Sequence, residues 1–323
     1  MLDVKVTALT YASPGQAEHI TVQNIHMVEA GWTGVIHVHD HDIVLVTLGS
    51  MTSSSTLGTN ETPPAVSPSH SNDGSWELWK SLAHDSPHFG NPNNFCDRVP
   101  ESHWESFTVT LKSPEFFNSL TAFTRNKPGT GALTTFADSN WLMSIVVPHQ
   151  PHFISQPPDV QVLWGYGLFP AREGNFVHKP MRECSGKEIF AELLGHLGLP
   201  QKPYSSITIP CSMPYITSQF LTRGPGDRPE VIPKGSTNLA FMGQFVEIPQ
   251  DVVFTVEYSV RSAMMAVCGL MGLKKQPRSV YKGEHDPRVL AKVLKAMVED
   301  GVGHNSGSSR FEMNVAPMNL GVI

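Results

Sequence analysis

Two apolar stretches of this chain end in a glycine that is followed by polar or aromatic residues. Asp42 to Ser50 contains a continuous apolar run that ends at Gly49, and Asn238 to Gly243 has the same form. A continuous apolar run is typical of a strand covered on both faces, as in parallel α/β sheets. Ligands of open α/β sheets bind where such strands end, and glycine lets the backbone approach them closely. Both strand ends are therefore candidate ligand sites.

A helix is predicted shortly after Gly243, over residues 254–270. Its apolar residues recur at helical spacing and predict one buried stripe, made of Val256, Val260, Ala263 and Val267. Thr255 and Ser259 lie one turn apart, so their hydroxyls share a face near the positive end of the helix dipole. This arrangement suits a phosphate or another polar ligand group. The alternative is that both hydroxyls only satisfy backbone groups at the helix start.

A second chemical pattern is the H-x-H-x-H run of His37, His39 and His41. On a strand these imidazoles share a face, and such a set can ligate Zn²⁺. The run lies just before the buried strand, and we interpret it as a set of exposed surface histidines in preference to a metal site.

The composition limits the classes of protein to which this chain can belong. With 323 residues, 40% of them hydrophobic and 16% charged, the chain is predicted to be globular. A net charge of −6 gives no basic field and argues against nucleic-acid binding. The four cysteines lie far apart and predict free thiols in a reducing compartment. No stretch approaches the ~18 apolar residues of a membrane span, so a soluble, cytoplasmic protein is expected.

The predicted secondary structure and the residue composition change along the chain and divide it into segments. Alternating residues predict strands near 4–9 and 20–25, joined by a turn at Ser13-Pro14-Gly15. Between Gly74 and Pro214, where five of the six tryptophans lie, the patterns predict two helices (113–124 and 186–197) and two buried strands (140–147 and 160–169). A last helix is predicted from about Asp286, with Pro287 in its first turn. Four segments follow: 1–72 and 218–272 in one α/β domain, 73–217 as an insert, and 273–323 as a basic linker, helix and tail.

Several strings resemble the oleate hydratase family, formerly called myosin-cross-reactive antigens. They follow the family's order through residues 40–272: GSMTSSSTLG, GSWELWKSLA, FGNPNNFC, DSNWLMS, QPHF, YGLFP, KPMRECSGKEI, PCSMPYIT, GDRPEVIPKGSTNLAFMGQFVE and VFTVEYSVRSA. The resemblance implies an FAD-dependent lyase that adds water to the cis double bond of an unsaturated fatty acid, giving a 10-hydroxy acid. The implied fold is α/β: a partial FAD-binding, Rossmann-like domain with an inserted mixed α+β substrate or lid domain and a C-terminal helical tail.

The resemblance also implies roles for particular residues. Gly49, Ser50, Met51 and Thr52 match the strand-end turn beside the FAD, and Gly243, Gln244 and Phe245, with Thr255 and Ser259, match a second cofactor-contacting segment. Val6 resembles a valine on the adenine side. His152, with Gln150 beside it in QPHF, aligns with a histidine near the fatty-acid carboxylate. The family has polar residues four and six positions before this histidine, where this chain has Pro148 and Val146.

The chain has no G-x-G-x-x-G motif, which the family places in its first strand–turn–helix unit. We therefore expect the C-terminal half of such a protein, with the family's catalytic residues in the other half and none identifiable here. A non-catalytic flavin- or fatty-acid-binding remnant, or one subunit of a split protein, is an alternative, and an amine-oxidase-type flavin oxidoreductase is another. The resemblance is compatible with a homodimer.

The segment after residue 273 contains four basic residues, Lys274, Lys275, Arg278 and Lys282. These residues suit peripheral contact with anionic lipid, or they form a solvated linker.

Overall fold

The computed structural model of the chain describes residues 4–12, 19–29, 31–65, 74–112, 114–130, 133–201, 204–252 and 256–302. Its strands are β1 (Lys5–Tyr11), β2 (Val22–Glu29), β3 (Trp32–His37), β4 (Val44–Thr47), β5 (Thr56–Leu57), β6 (Trp104–Leu111), β7 (Leu133–Thr135), β8 (Met143–Val146), β9 (Gln161–Gly167), β10 (Ser206–Met213) and β11 (Leu239–Met242). Its α-helices are α1 (Gly74–Asp85), α2 (Asn93–Cys96), α3 (Val99–Ser102), α4 (Pro114–Thr124), α5 (Gly186–His196), α6 (Val256–Leu270) and α7 (Pro287–Val302). The chain divides into two compact units, residues 1–277 and 278–323.

The first strands form a small antiparallel sheet in the order β1-β2-β3. Leu9 pairs with Ile25, and Ile25 pairs with Ile36 on the other side. The two strands predicted from alternating residues are thus confirmed, while the predicted turn at 13–15 lies outside the described residues. His37, at the end of β3, has its Nδ1 2.7 Å from Asn24 Oδ1, and all three histidines of the H-x-H-x-H run are exposed.

A parallel pair of strands, β4 and β11, brings the two predicted strand ends together. Leu239 pairs with Val44 and Met242 with Thr47, so both strands end at the same edge. The prediction that β4 is covered on both faces is wrong for the part of the chain described here. Val44 and Val46 are buried, but Leu45 on the opposite face is 38% exposed, because nothing among the described residues covers that face.

The first hydrophobic core packs against this parallel pair and is unusually aromatic. Phe245 lies 5.1 Å from Trp76, 5.5 Å from Trp79 and 5.6 Å from Phe95, measured between ring centroids. Trp79 Nε1 also donates to the Phe89 carbonyl at 2.7 Å. Helices α1 and α2 therefore belong to the core of the α/β part, although the sequence analysis placed residues from 73 onward in the insert.

The second core lies beneath a six-stranded antiparallel sheet with the order β5-β10-β6-β9-β8-β7. Alternate residues of β6 (Phe107, Val109 and Leu111) point into this core, where α4 and α5 supply the covering side chains. The helices predicted at 113–124 and 186–197 and the strands predicted at 140–147 and 160–169 are confirmed as α4, α5, β8 and β9. Strand β5 extends this sheet, so the insert reaches back to residue 56.

Helix α6 is confirmed, but the face that it buries is not the predicted one. Its buried residues are Tyr258, Ser262, Ala266 and Cys268. Val256 is 72% exposed and Val260 is 52% exposed, so the predicted valine stripe faces away from the core. Tyr258 accounts for which face of α6 is buried, because its hydroxyl donates to the Val246 carbonyl at 2.8 Å and accepts the Ile248 N–H at 3.0 Å.

The second unit contains α7, which begins at the predicted Pro287. Within this unit the helix leaves a row of large apolar side chains exposed: Leu290, Val293, Leu294, Met297 and Val298. Among the helices in the described ranges, none is long and apolar enough to cross a membrane. The four cysteines are free thiols.

Candidate functional site

The candidate site is the edge where β4 and β11 end. The backbone turns after each of the two strands at a glycine with positive φ, +64° at Gly49 and +102° at Gly243. A Cβ added at Gly49 would lie 2.8 Å from the Phe245 ring, and one at Gly243 would lie 3.2 Å from Thr47 Cγ2. Any side chain at either position would therefore be both strained and crowded. The carboxyl ends of parallel strands are where open α/β sheets bind ligands.

The turn after β4 places its predicted residues at different depths. Gly49 is buried, Ser50 and Met51 are half-buried, and Thr52 is exposed. The Ser50 and Thr52 hydroxyl oxygens lie 3.4 Å apart, and the Thr52 carbonyl accepts the Ser55 N–H at 3.3 Å. The turn is thus held by local hydrogen bonds, with polar side chains on its outer side.

The segment after β11 is tied to helix α6. The Gly243 N–H donates to Ser262 Oγ at 2.9 Å, and Ser262 Oγ donates to the Ser259 carbonyl at 2.7 Å. Ser259, half-buried, thus lies in the helical turn that is joined to the strand end, while Thr255 lies outside the described residues. Because the Phe245 ring is buried in the aromatic core, only the backbone of this residue is left to face a ligand.

Gln244 carries the clearest sign of a missing polar partner. Its Oε1 is buried and accepts no hydrogen bond from any residue that the structure describes. A buried acceptor without a partner costs about 1–3 kcal/mol, and native structures contain few of them. A ligand that donates a hydrogen bond at this strand end would satisfy the Gln244 oxygen.

A cavity of about 440 Å³ opens beside the strand end. Its lining combines the start of β1, the end of β4 and the first turn of α1: Val4, Lys5, Val6, Thr47, Gly74, Ser75 and Leu78. The structure thus brings the predicted Val6 to the same edge as Gly243, since Thr47 borders both. The volume lies within the usual range for small-molecule sites, about 300–1,000 Å³. Thr47 and the α1 residues were not predicted as site residues from the sequence, although the Gly-Ser pair before Trp76 is a helix-start pattern.

The predicted substrate residues lie elsewhere, in the connection between β8 and β9. Gln150 donates to the carbonyls of Pro148 (3.0 Å) and Val162 (2.8 Å), and its Oε1 accepts the Val162 N–H at 3.1 Å. Its side chain therefore holds the loop in shape. His152 is exposed, with its ring 4.7 Å from that of Phe153. None of the residues that line the cavity belongs to this loop.

A second glutamine completes the support of the His152 loop. Gln156 Oε1 accepts the N–H groups of His152 (2.8 Å) and Phe153 (3.3 Å), and its Nε2 donates to Gln150 Oε1 at 2.9 Å. The loop is thus preorganised by side-chain hydrogen bonds while its tip remains exposed. Such an arrangement lowers the entropic cost of binding a ligand at the tip.

One ionisable residue outside the predicted site is unusual. Glu105 of β6 is fully buried, and neither of its carboxyl oxygens has a hydrogen-bond partner in the described part of the chain. Burial raises the pKa of Glu105 to about 9. His103 lies on the same face of the strand, 2.8 Å from Ser212 Oγ through its Nε2, and burial lowers the pKa of His103 to about 4. Glu105 could have been found from the sequence, because it shares the core-facing side of β6 with Phe107, Val109 and Leu111, which are all apolar.

Fold and site together define a mixed α/β protein that has an antiparallel sheet between its parallel strands in sequence and a candidate ligand site at the edge where those strands end. The MCRA family model matches residues 1–268, so the chain belongs to the MCRA family. It is 40% identical over 306 residues to an oleate hydratase of Streptococcus pyogenes serotype M49 (strain NZ131), covering 90% of this chain and 51% of that protein. It is 37% identical over 312 residues to a linoleate hydratase of Lactiplantibacillus plantarum, covering 87% of this chain and 53% of that protein. The chain thus spans about half the length of these relatives.

Proposed function

We propose that this chain is part of an FAD-dependent hydratase that adds water to the cis double bond of an unsaturated fatty acid, giving a 10-hydroxy fatty acid. The observation that carries the proposal is the edge at which Gly49 and Gly243 end neighbouring parallel strands, beside a cavity and the unpaired Gln244 oxygen. Both relatives are named as fatty-acid hydratases, which favours this function over an amine-oxidase-type oxidoreductase. The segments 1–72 and 218–272 are proposed as the FAD-binding part and 73–217 as the substrate part, with two changes: β5 joins the sheet of the substrate part, and helices α1 and α2 join the core of the FAD-binding part.

The strand-end residues fit a flavin nucleotide. Gly49 and Gly243 allow its polar groups to approach the backbone, and Gln244 Oε1 supplies an acceptor that is already desolvated. Val6 offers an apolar contact at the cavity wall, which suits an adenine ring. Ser50, Thr52, Thr255 and Ser259 are proposed as hydroxyl contacts, with Met51 and the Phe245 backbone completing the site. When bound, the flavin has a structural or electrostatic part and undergoes no net redox change.

His152 is proposed to receive the carboxylate of the fatty acid. The glutamine-supported loop holds its backbone in place, and the ring is exposed, so an anionic ligand can reach it. Gln150 contributes to substrate binding through the loop that it holds. We assign no residue of this chain as the proton donor or as the base that activates water.

Peripheral contact with a membrane is proposed for the second unit. Helix α7 exposes apolar side chains, and Arg288, Lys292 and Lys295 lie on the same helix. An amphipathic helix with basic residues binds to the surface of anionic lipid through both its apolar face and its charge. Lys282 precedes this helix, and Lys274 and Lys275 lie near the end of the first unit.

The cofactor proposal is tested with Gln244→Ala. We expect the chain to bind FAD more weakly than micromolar, and the variant to bind it about five- to thirtyfold more weakly still, because a hydrogen bond of about 1–2 kcal/mol is lost. Flavin fluorescence during titration of the purified chain gives both affinities.

The matched control is Gln161→Ala. Gln161 is another half-buried glutamine whose Oε1 has no partner in the described residues, but it lies on β9, away from the strand end. Its variant should bind FAD like the parent chain. Equal affinities in all three proteins would contradict the placement of FAD at Gln244, and sub-micromolar binding would contradict the expected weak affinity.

A further inference from the structure

The His152 loop, which connects β8 to β9, carries two large apolar side chains at its tip. Phe153 is 56% exposed and Ile154 is fully exposed. From residue 147 to residue 158 the loop contains no aspartate, glutamate, lysine or arginine, and Asp159 follows just before β9. A single exposed apolar side chain is ordinary, whereas two neighbouring ones on an uncharged loop form a candidate contact surface. Phe153 and Ile154 are called the apolar tip below.

The backbone of the apolar tip is held in one shape by its own loop. Gln156 Oε1 accepts the N–H groups of His152 (2.8 Å) and Phe153 (3.3 Å), and the Gln156 N–H donates to the Phe153 carbonyl at 3.0 Å. The loop also contains four residues with a fixed φ: Pro148, Pro151, Pro157 and Pro158. Because the tip is ordered in advance, a contact through it costs little conformational entropy.

These hydrogen bonds also determine which surroundings the apolar tip tolerates. An apolar phase offers no hydrogen bonds, so every unpaired backbone group that enters it carries a large desolvation cost. At the tip, two N–H groups and one carbonyl are already paired with Gln156. The tip can therefore leave water with three of its backbone polar groups satisfied, and its two apolar side chains gain by doing so.

A turn that carries a lysine packs against the base of the His152 loop. The Gly129 N–H donates to the Val147 carbonyl at 3.0 Å, and a Cβ added at Gly129 would lie 3.0 Å from His149 Cβ. Lys127 is exposed two residues before Gly129, and Arg125 is exposed two residues earlier. Neither of these basic side chains forms an ion pair with a residue in the described ranges. The base of the loop is thus flanked by a segment whose positive charges are not neutralised there.

The size of the apolar tip favours a lipid surface over a protein as its partner. A standard protein interface buries about 800 Å² on each side. Two side chains such as Phe153 and Ile154 supply only on the order of 300 Å². A bilayer needs no complementary shape, and its anionic headgroups attract nearby lysine and arginine side chains.

We propose that the apolar tip is an anchor that inserts Phe153 and Ile154 into the surface of an anionic phospholipid bilayer, with Lys127 and Arg125 supplying electrostatic attraction to the headgroups. This contact belongs to the first unit and is separate from the one proposed for helix α7. It does not depend on the hydratase proposal, since it concerns the lipid surface and not the reaction. Neither the sequence patterns nor the resemblance identified these four residues.

Insertion is tested with Phe153→Trp in the full chain and vesicles of phosphatidylcholine and phosphatidylglycerol in equal parts, whose acyl chains carry bromine. Bromine quenches tryptophan fluorescence only at short range, so we expect the emission that the variant adds to that of the parent chain to be quenched. Phe176→Trp is the matched control, because Phe176 is 52% exposed but lies between β9 and α5, with its ring 5.2 Å from that of His196. Equal quenching of the two added tryptophans would overturn the anchor.

Affinity is tested with a chain that carries Phe153→Ser and Ile154→Ser together. We expect its dissociation constant for the same vesicles without bromine to rise at least about tenfold, because two buried apolar side chains are lost. Phe176→Ser removes an exposed phenylalanine elsewhere and should leave the affinity unchanged. Helix α7 is the same in all these chains, so it cannot cause a difference between them. Circular dichroism checks that each variant folds.

The charge of the lipid is tested with Lys127→Gln. We expect binding to the mixed vesicles to weaken about fivefold, the effect of one basic residue near an anionic surface, and binding to pure phosphatidylcholine to stay unchanged. Lys234→Gln, at another exposed lysine, should change neither. An equal effect of Lys127→Gln on both kinds of vesicle would overturn the anionic bilayer as the partner.

Two further results would overturn the anchor. One is equal vesicle affinity of the parent chain and the paired serine variant. The other is a parent chain that self-associates in light scattering while the paired serine variant is monomeric, because a second copy would then cover the apolar tip. The FAD titration with Gln244→Ala does not involve the tip, so the hydratase proposal is decided separately.

Discussion

At the scale of single residues, the Glu105 carboxyl couples its ionisation to the stability of the six-stranded sheet. Its pKa of about 9 in the folded chain lies above the ordinary value of 4.5, because burial penalises the charged form. Below pH 4.5 the group is protonated in both states and carries no such penalty. As the pH rises towards 9, the unfolded chain gains the ionised form and the folded chain does not, so stability is lost across this window.

Glu105→Gln should remove this loss, since the amide has a similar shape and does not titrate. Between pH 5 and pH 8 we expect the unfolding free energy of the parent chain to fall relative to the variant, by up to about 1.4 kcal/mol per pH unit. Urea unfolding of both chains at several pH values measures the difference. A constant difference across this range would show that Glu105 is ionised, or hydrated, in the folded protein.

Among single residues, the glycines at which the backbone turns could be predicted from the sequence, whereas contacts between residues that are far apart in the chain could not. Gly49 and Gly243 followed from apolar runs that end in glycine, and the structure gives both a positive φ. The use of Gln150 did not follow, because its hydrogen bonds go to Val162, which is close only once β8 and β9 have paired. Thr47 was missed because its side chain reaches the cavity only when β1 and α1 are in place.

At the scale of elements, helix α6 shows how one polar contact decides which face is buried. The valine stripe was the better hydrophobic pattern, yet Tyr258 and Ser262 face the core because they satisfy backbone groups of residues 243–248. Strands and helices were otherwise predictable from local periodicity. Their sheet partners were not, since the order β5-β10-β6-β9-β8-β7 depends on contacts between residues far apart in the chain.

Tyr258→Phe tests this account of α6. The change deletes only the hydroxyl, leaves the buried Ile248 N–H without its acceptor, and should lower the unfolding free energy by about 1–3 kcal/mol. Val260→Ala, at an exposed position of the same helix, should lower it by no more than about 0.5 kcal/mol. Thermal or urea unfolding compares the two. If Val260→Ala lowers the unfolding free energy more than Tyr258→Phe does, the valine stripe faces the core and this account of α6 is wrong.

At the scale of the whole molecule, two exposed apolar surfaces belong to elements that form the candidate site. The uncovered face of β4 continues from the strand that ends at Gly49, and the exposed valines of α6 lie on the helix joined to Gly243. The chain also spans only 51% and 53% of the two relatives. These surfaces are therefore consistent with a site whose remaining walls come from sequence outside these 323 residues.

The last prediction is that these 323 residues form no 10-hydroxystearate from oleate, even with FAD in excess. Hydration of an isolated alkene needs a proton donor on one carbon and an activated water at the other, held at a fixed separation. The candidate strand end offers glycines, amides and hydroxyls, and Glu105, whose pKa burial raises to about 9, is fully buried in the second core. The resemblance places the family's catalytic residues in a segment that has no match in this chain.

Mass spectrometry of the chain incubated with oleate and FAD decides the question, with a boiled sample as the blank and the Streptococcus pyogenes relative as the positive control. We expect the chain to match the blank, because binding groups alone hold the substrate and transfer no proton to it. Turnover clearly above the blank would mean that a carboxyl group of this chain donates the proton. Glu183 and Glu257, which are both exposed, would then be the first residues to replace by glutamine.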